Sequence, residues 1–100
     1  GDLGGLGIAY KAWKLSLKGQ EPPVIDGLTG DQRFFLGWAR VWHDVSTDEE
    51  LRTQVQTDSH SPSHWRINGP MSNLEEFKQA WGCKDTDPMV RPADQVVRIW

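Results

Sequence analysis

Three times in this chain, a residue able to cap a helix is followed three positions later by one able to return the hydrogen bond. Thr29 precedes Gln32, Ser46 or Thr47 precedes Glu49 or Glu50, and Ser72 or Asn73 precedes Glu75 or Glu76. In such a box the cap side chain accepts a free N–H of the first helical turn, and the later side chain accepts the cap's own N–H. An apolar stripe accompanies each box: Phe34, Trp38, Val41, Trp42 and Val45 with the first, Leu51 and Val55 with the second, Leu74, Phe77, Ala80 and Trp81 with the third. Gly82 is placed to stop the last of these. A further stripe, Leu3, Leu6, Tyr10, Trp13 and Leu17, opens the chain and ends at Gly19. The pattern predicts a mainly α fold of about four helices joined by long loops.

The breakers place those loops. Residues 20–30 carry Pro22, Pro23 and Asp26-Gly27, with Val24, Ile25 and Leu28 tucked inward. Residues 57–71 read as irregular, interrupted by Pro62, Gly69 and Pro70, and residues 83–92 as a loop with Pro88 and Pro92. Residues 95–100 read as a short terminal strand or a packed tail. No repeat or linker divides the chain.

Composition limits what such a body can do. Only 37% of the residues are hydrophobic, and six of them are Trp, which rarely packs fully without a partner for its indole N–H. The core is therefore expected to need a neighbour to complete it. A net charge of −3 argues against a nucleic-acid partner, and Lys11, Lys14 and Lys18 read as one solvated helical face. No apolar run approaches the ~20 residues of a membrane helix. Cys83 is the single cysteine and reads as a small buried hydrophobe. No leader is recognisable, and Gly1 reads as mid-protein sequence.

The chemistry concentrates in one segment. Thr57-Asp58-Ser59-His60-Ser61-Pro62-Ser63-His64-Trp65-Arg66 places an acid, an imidazole and a guanidinium within nine residues. A carboxylate two residues from a histidine can fix its tautomer, and imidazole and guanidinium together can donate to a carbonyl or an oxyanion. The bland alternative is a loop ion pair between Asp58 and Arg66. His60 and His64 have the spacing of an H-E-x-x-H zinc helix, but Ser61 replaces the Glu and Pro62 disfavours helix at Ser61. Ser61 and His60 are too close in sequence to be a serine nucleophile and its base. Gly1, Gly4, Gly5 and Gly7 lack the strand and the Lys-Ser/Thr of a phosphate loop, so close helix packing is their expected use.

Three blocks resemble the neprilysin family of zinc metallopeptidases, the gluzincins. Gly1-Asp2-Leu3-Gly4-Gly5 is similar to the end of the family's Glu-Asn-x-x-Asp-x-Gly-Gly block. Residues 26–35, Asp-Gly-Leu-Thr-Gly-Asp-Gln-Arg-Phe-Phe, resemble its loop before a Trp-rich helix. The third block is Thr57 through Arg66, with Asn68-Gly69-Pro70 and the closing Trp100.

The resemblance implies a zincin-like catalytic domain of which residues 1–100 are the C-terminal, incomplete part. It implies hydrolysis of short peptides with one zinc, whose three protein ligands and general base lie outside these residues, so that the segment alone neither holds catalytic zinc nor cleaves. By position, Asp2 would orient a zinc-binding histidine, His60 would stabilise the oxyanion, Asp58 would hold His60, and Arg66 would bind a substrate carbonyl on the primed side. The implied partners are the peptide substrate and the remainder of the catalytic domain. A single cysteine points to a bacterial member, periplasmic or secreted. The competing reading is a free-standing peptide-binding or interaction module.

Overall fold

A computed structural model describes residues 1–99. Five α-helices follow one another: α1 (Asp2–Ser16), α2 (Gly30–Val41), α3 (Asp48–Thr57), α4 (Ser63–Ser72) and α5 (Glu75–Trp81), with a 3₁₀ turn at Ala93–Gln95. The mainly α expectation holds, with one helix more than the sequence pattern suggested. The first two capping boxes form as read, Thr29 with Gln32 on α2 and Thr47 with Glu50 on α3.

The extra helix is α4, inside the segment expected to be irregular. Pro62 is its N-cap, just outside the first turn, where no intrahelical donor is required. Pro70 lies within it and leaves the carbonyl of Arg66, four residues back, without its helical partner. The indole of Trp38 repairs this: its Nε1–H donates to the Arg66 carbonyl at 3.1 Å. A tertiary contact thus permits a helix that local sequence disfavours.

The third capping box does not form. Leu74 is the N-cap of α5 and makes no side-chain cap bond. Asn73 is instead buried and clasps the C-terminal tail, donating from Nδ2 to the Val97 carbonyl at 2.6 Å and accepting from the Val97 N–H at 2.8 Å. A carboxamide that satisfies both backbone groups of one residue tethers the tail without a sheet. Residues 96–99 form no strand, so the tail is packed rather than paired; Trp100 lies outside the described residues.

Leu6, Phe35, Met71 and Phe77 are the buried apolar core, one from each of α1, α2, α4 and α5. Phe35 stacks with Tyr10 and meets Phe34 and Phe77 edge-on. The stripe read on α2 included Phe34 but not Phe35, and extended to Val45. The helix in fact ends at Val41, and Val41 and Val45 are exposed. Val24 and Ile25 are also exposed rather than tucked in. They lead into a tight turn in which Asp26 and Gly27 both have positive φ (52° and 75°), closed by two backbone bonds between Ile25 and Leu28. At Gly30 a Cβ would lie 2.4 Å from Pro22 Cγ, so only glycine lets the loop close onto the start of α2. Gly82 stops α5 in the left-handed region, as expected. Cys83 is half-buried against the core.

Helix α3 stands apart: none of its residues is buried. The molecule as a whole is drawn out, 46 × 32 × 25 Å, with a radius of gyration of 15.1 Å against about 13 Å for a compact chain of this length. It exposes 7436 Å², where a self-sufficient monomer of 11.4 kDa exposes about 5,800 Å².

Candidate active site

Packing of α1 on α4 brings together residues 64 positions apart. Asp2 is in the first turn of α1, and Arg66 near the start of α4. Arg66 Nε donates to Asp2 Oδ2 at 2.6 Å and Nη2 donates to Oδ1 at 2.8 Å, a two-pronged carboxylate–guanidinium pair. The pair is about three-quarters shielded from solvent. The hydrogen bonds from Arg66 hold the Asp2 carboxyl below the usual aspartate range, against the opposing effect of burial. Arg66 is shifted upward by the same bonds. Nη1 of Arg66 has no partner among the described residues, and each Asp2 oxygen keeps a second lone pair.

His60 sits in the loop between α3 and α4. Its Nδ1 lies 2.9 Å from Asp58 Oδ1, and its backbone N–H donates to the same oxygen at 2.8 Å. These bonds, the backbone one first, lower the Asp58 pKa and keep it ionised. With a carboxylate on Nδ1, that nitrogen carries the proton. Nε2 then donates only when the ring is an imidazolium.

Asp2, His60 and Arg66 line one open cavity of about 440 Å³, with Trp65 and Pro70 on its wall. Three of the four residues singled out in the sequence therefore converge. Asp58 stands behind His60 and does not line the cavity. The Asp58–Arg66 ion pair offered as the bland alternative does not form, because Arg66 pairs with Asp2. A slightly larger cleft, about 470 Å³, lies between α5 and the tail. Its Lys78 is already paired with Asp85, and no sequence candidate reaches it.

Two residues at the site were not read from sequence. Trp42 places its ring face 3.7 Å from Arg66 Cζ. Trp38, one turn earlier, binds the Arg66 carbonyl. Trp38 on α2 and Trp42 at its C-cap were visible as core formers, but nothing local tied them to a guanidinium 28 and 24 residues further on.

Among the described residues no group of three or more His, Cys, Asp or Glu is placed to hold a metal ion. His60 and His64 do not share a coordination point: α4 begins after His60, and the His64 ring meets Trp65 edge-on.

The description "Peptidase family M13" belongs to the family model that matches residues 1–97. Endothelin-converting enzyme 1 of Homo sapiens is 43% identical over 95 residues, covering 91% of this chain and 12% of that protein. Neprilysin-2 of Caenorhabditis elegans is 37% identical over 102 aligned positions, covering 99% of this chain and 14% of that protein. The crystal structure of the Mycobacterium tuberculosis zinc metalloprotease Zmp1 in complex with inhibitor superposes with a TM-score of 0.94 at 45% identity, over 99% of this chain and 15% of that one. The chain thus spans about one-eighth to one-seventh of the proteins it matches. Near-complete coverage in sequence and in fold leads to one assignment: the chain belongs to peptidase family M13, the neprilysin family.

Proposed function

We propose that these residues are the C-terminal, incomplete part of the catalytic domain of a zinc-dependent endopeptidase that hydrolyses short peptides. The observation that carries this reading is the convergence of Asp2, His60 and Arg66 on one cavity in a chain of this family. The drawn-out shape, the thin core and the excess exposed surface support a body that packs against the remainder of a larger domain, and count against a free-standing interaction module.

Zinc, when bound, supplies a polarised water at neutral pH. Its protein ligands and the general base would come from outside this segment, which lacks an H-E-x-x-H sequence. Segment residues act around that centre. His60, held by Asp58, donates from Nε2 as an imidazolium to the carbonyl oxygen on which charge develops. Arg66 offers the unused Nη1 to a backbone carbonyl of the peptide on the primed side, with its plane fixed by Asp2. Asp2 keeps lone pairs with which to orient an imidazole of the metal site.

No helix among the described residues is long and apolar enough to cross a membrane. An extracytoplasmic bacterial setting, periplasmic or secreted, fits the single cysteine and the 45% identity to the mycobacterial protease. The partners are then a peptide and the rest of the domain.

The test is to assay the full-length protein on a small peptide with and without a zinc chelator, beside the isolated 100 residues. Chelator-sensitive cleavage by the parent alone is the expected result. Cleavage by the isolated segment, or a parent indifferent to chelation, would overturn the reading.

A further inference from the structure

We infer that Trp42 is a positioning residue for substrate binding and acts through Arg66. This rests on the reading of Arg66 as the group that meets the peptide backbone. Asp2 grips the guanidinium along one edge, through Nε and Nη2, which fixes its position in its own plane. That grip leaves the plane free to tilt about the edge. Trp42 removes the tilt, since its ring face lies 3.7 Å from Arg66 Cζ. One contact holds an edge of the guanidinium and the other a face, and Nη1 is left without a hydrogen-bond partner among the described residues. Trp38 completes the frame by meeting Trp42 at 5.9 Å and a steep angle while holding the Arg66 carbonyl.

A second observation favours a role for the ring face over simple filling. Trp42 Nε1 is buried and has no hydrogen-bond partner among the described residues. A buried donor without an acceptor is destabilising, and phenylalanine would avoid the cost. Indole is, however, the strongest of the aromatic faces toward a cation. Its presence here is explained if the face matters more than the lost hydrogen bond.

The test uses the full-length parent and a peptide substrate, with Trp42→Phe, Trp42→Met, Arg66→Ala and the Trp42→Met/Arg66→Ala double variant. Trp42→Met keeps apolar bulk and removes the face. Its KM is expected to rise about threefold to tenfold, with kcat within about twofold. Trp42→Phe recovers part of the loss, and Trp42→Met adds nothing once Arg66 is alanine. An unchanged KM in Trp42→Met, or an equal rise in the Arg66→Ala background, overturns the inference. If Trp42→Met does not fold, Trp42→Phe decides by the same comparison. A parent that cleaves no peptide refutes the peptidase reading alone. Crystal structures of the parent and the variant then decide: a guanidinium that tilts off the Asp2 plane supports the role of Trp42, and one that stays put refutes it.

Discussion

Two acid–base pairs each send a side chain to the same cavity and are built in opposite ways. Arg66 and Asp2 are 64 residues apart, mostly shielded, joined by two hydrogen bonds and covered by Trp42. His60 and Asp58 are two residues apart, largely exposed, and held by a local turn at the end of α3. The first pair is a product of tertiary packing between α1 and α4. The second is a local contact that no packing between helices imposes, and the helix before it buries none of its residues. The difference teaches which part of the site this segment can set alone. Arg66 is aimed by the fold described here, whereas α3 buries nothing that would fix the place of His60 relative to Arg66.

The largest expected effect breaks the exposed pair. On the proposed role of His60 as a donor to developing charge, His60→Ala in the parent should lower kcat by about 10²–10³-fold with a small change in KM. A kcat unaltered by this substitution would remove His60 from the chemistry. Next comes the shielded pair. Arg66→Ala should raise KM by about 10–100-fold, the worth of a hydrogen bond from a charged donor. Arg66→Lys should not restore it, because an ammonium cannot bind Asp2 side-on and also present a second edge. Full rescue by lysine would show that charge alone matters and that the two-pronged geometry does not.

The same contrast explains what was legible in sequence. His60 and Asp58 could be paired from the string of letters because their contact is local. So could the caps at Thr29 and Thr47, where side chain and backbone are three residues apart. Arg66 stood out through the chemistry of its own segment and Asp2 through the family resemblance, but their bond to each other was not foreseen, since no local pattern reports a contact across 64 residues. Helix α4 was misread for the same reason. Its stability against Pro70 depends on Trp38 reaching the orphaned Arg66 carbonyl. Asn73 was read as a cap because its spacing to Glu76 allows it, yet the tail competes for its carboxamide and wins with two bonds.

A pH experiment sharpens the comparison further. The folded pKa of Asp2 is depressed below the ordinary aspartate value of 3.8, chiefly by its hydrogen bonds to Arg66. Its contribution to stability is therefore complete above about pH 4 and is lost as the pH falls through the depressed value. Asp2→Asn should remove that acid limb from the stability profile of the parent and leave the profile near pH 7 flat. Asp58→Asn removes an exposed partner and should change the acid limb far less. Equal effects of the two substitutions would mean that shielding does not distinguish the pairs.

The smallest effect concerns the two helix caps, which are alike in chemistry and differ in what their helices bury. Thr29→Ala and Thr47→Ala each delete a hydroxyl that accepts the N3 backbone N–H, at 3.2 Å in both cases, and each should cost about 1 kcal/mol locally. Helix α2 carries Phe35 into the core, so loss of its cap is transmitted to global unfolding and should lower the melting temperature. Helix α3 contributes nothing buried, so within this segment the loss of its cap should appear as faster amide exchange confined to residues 48–57. In the parent the outcome depends on α3 being covered. Protection of those amides that becomes global there, and is lowered globally by Thr47→Ala, would show that the remainder of the domain seats α3 and, with it, the loop that holds His60.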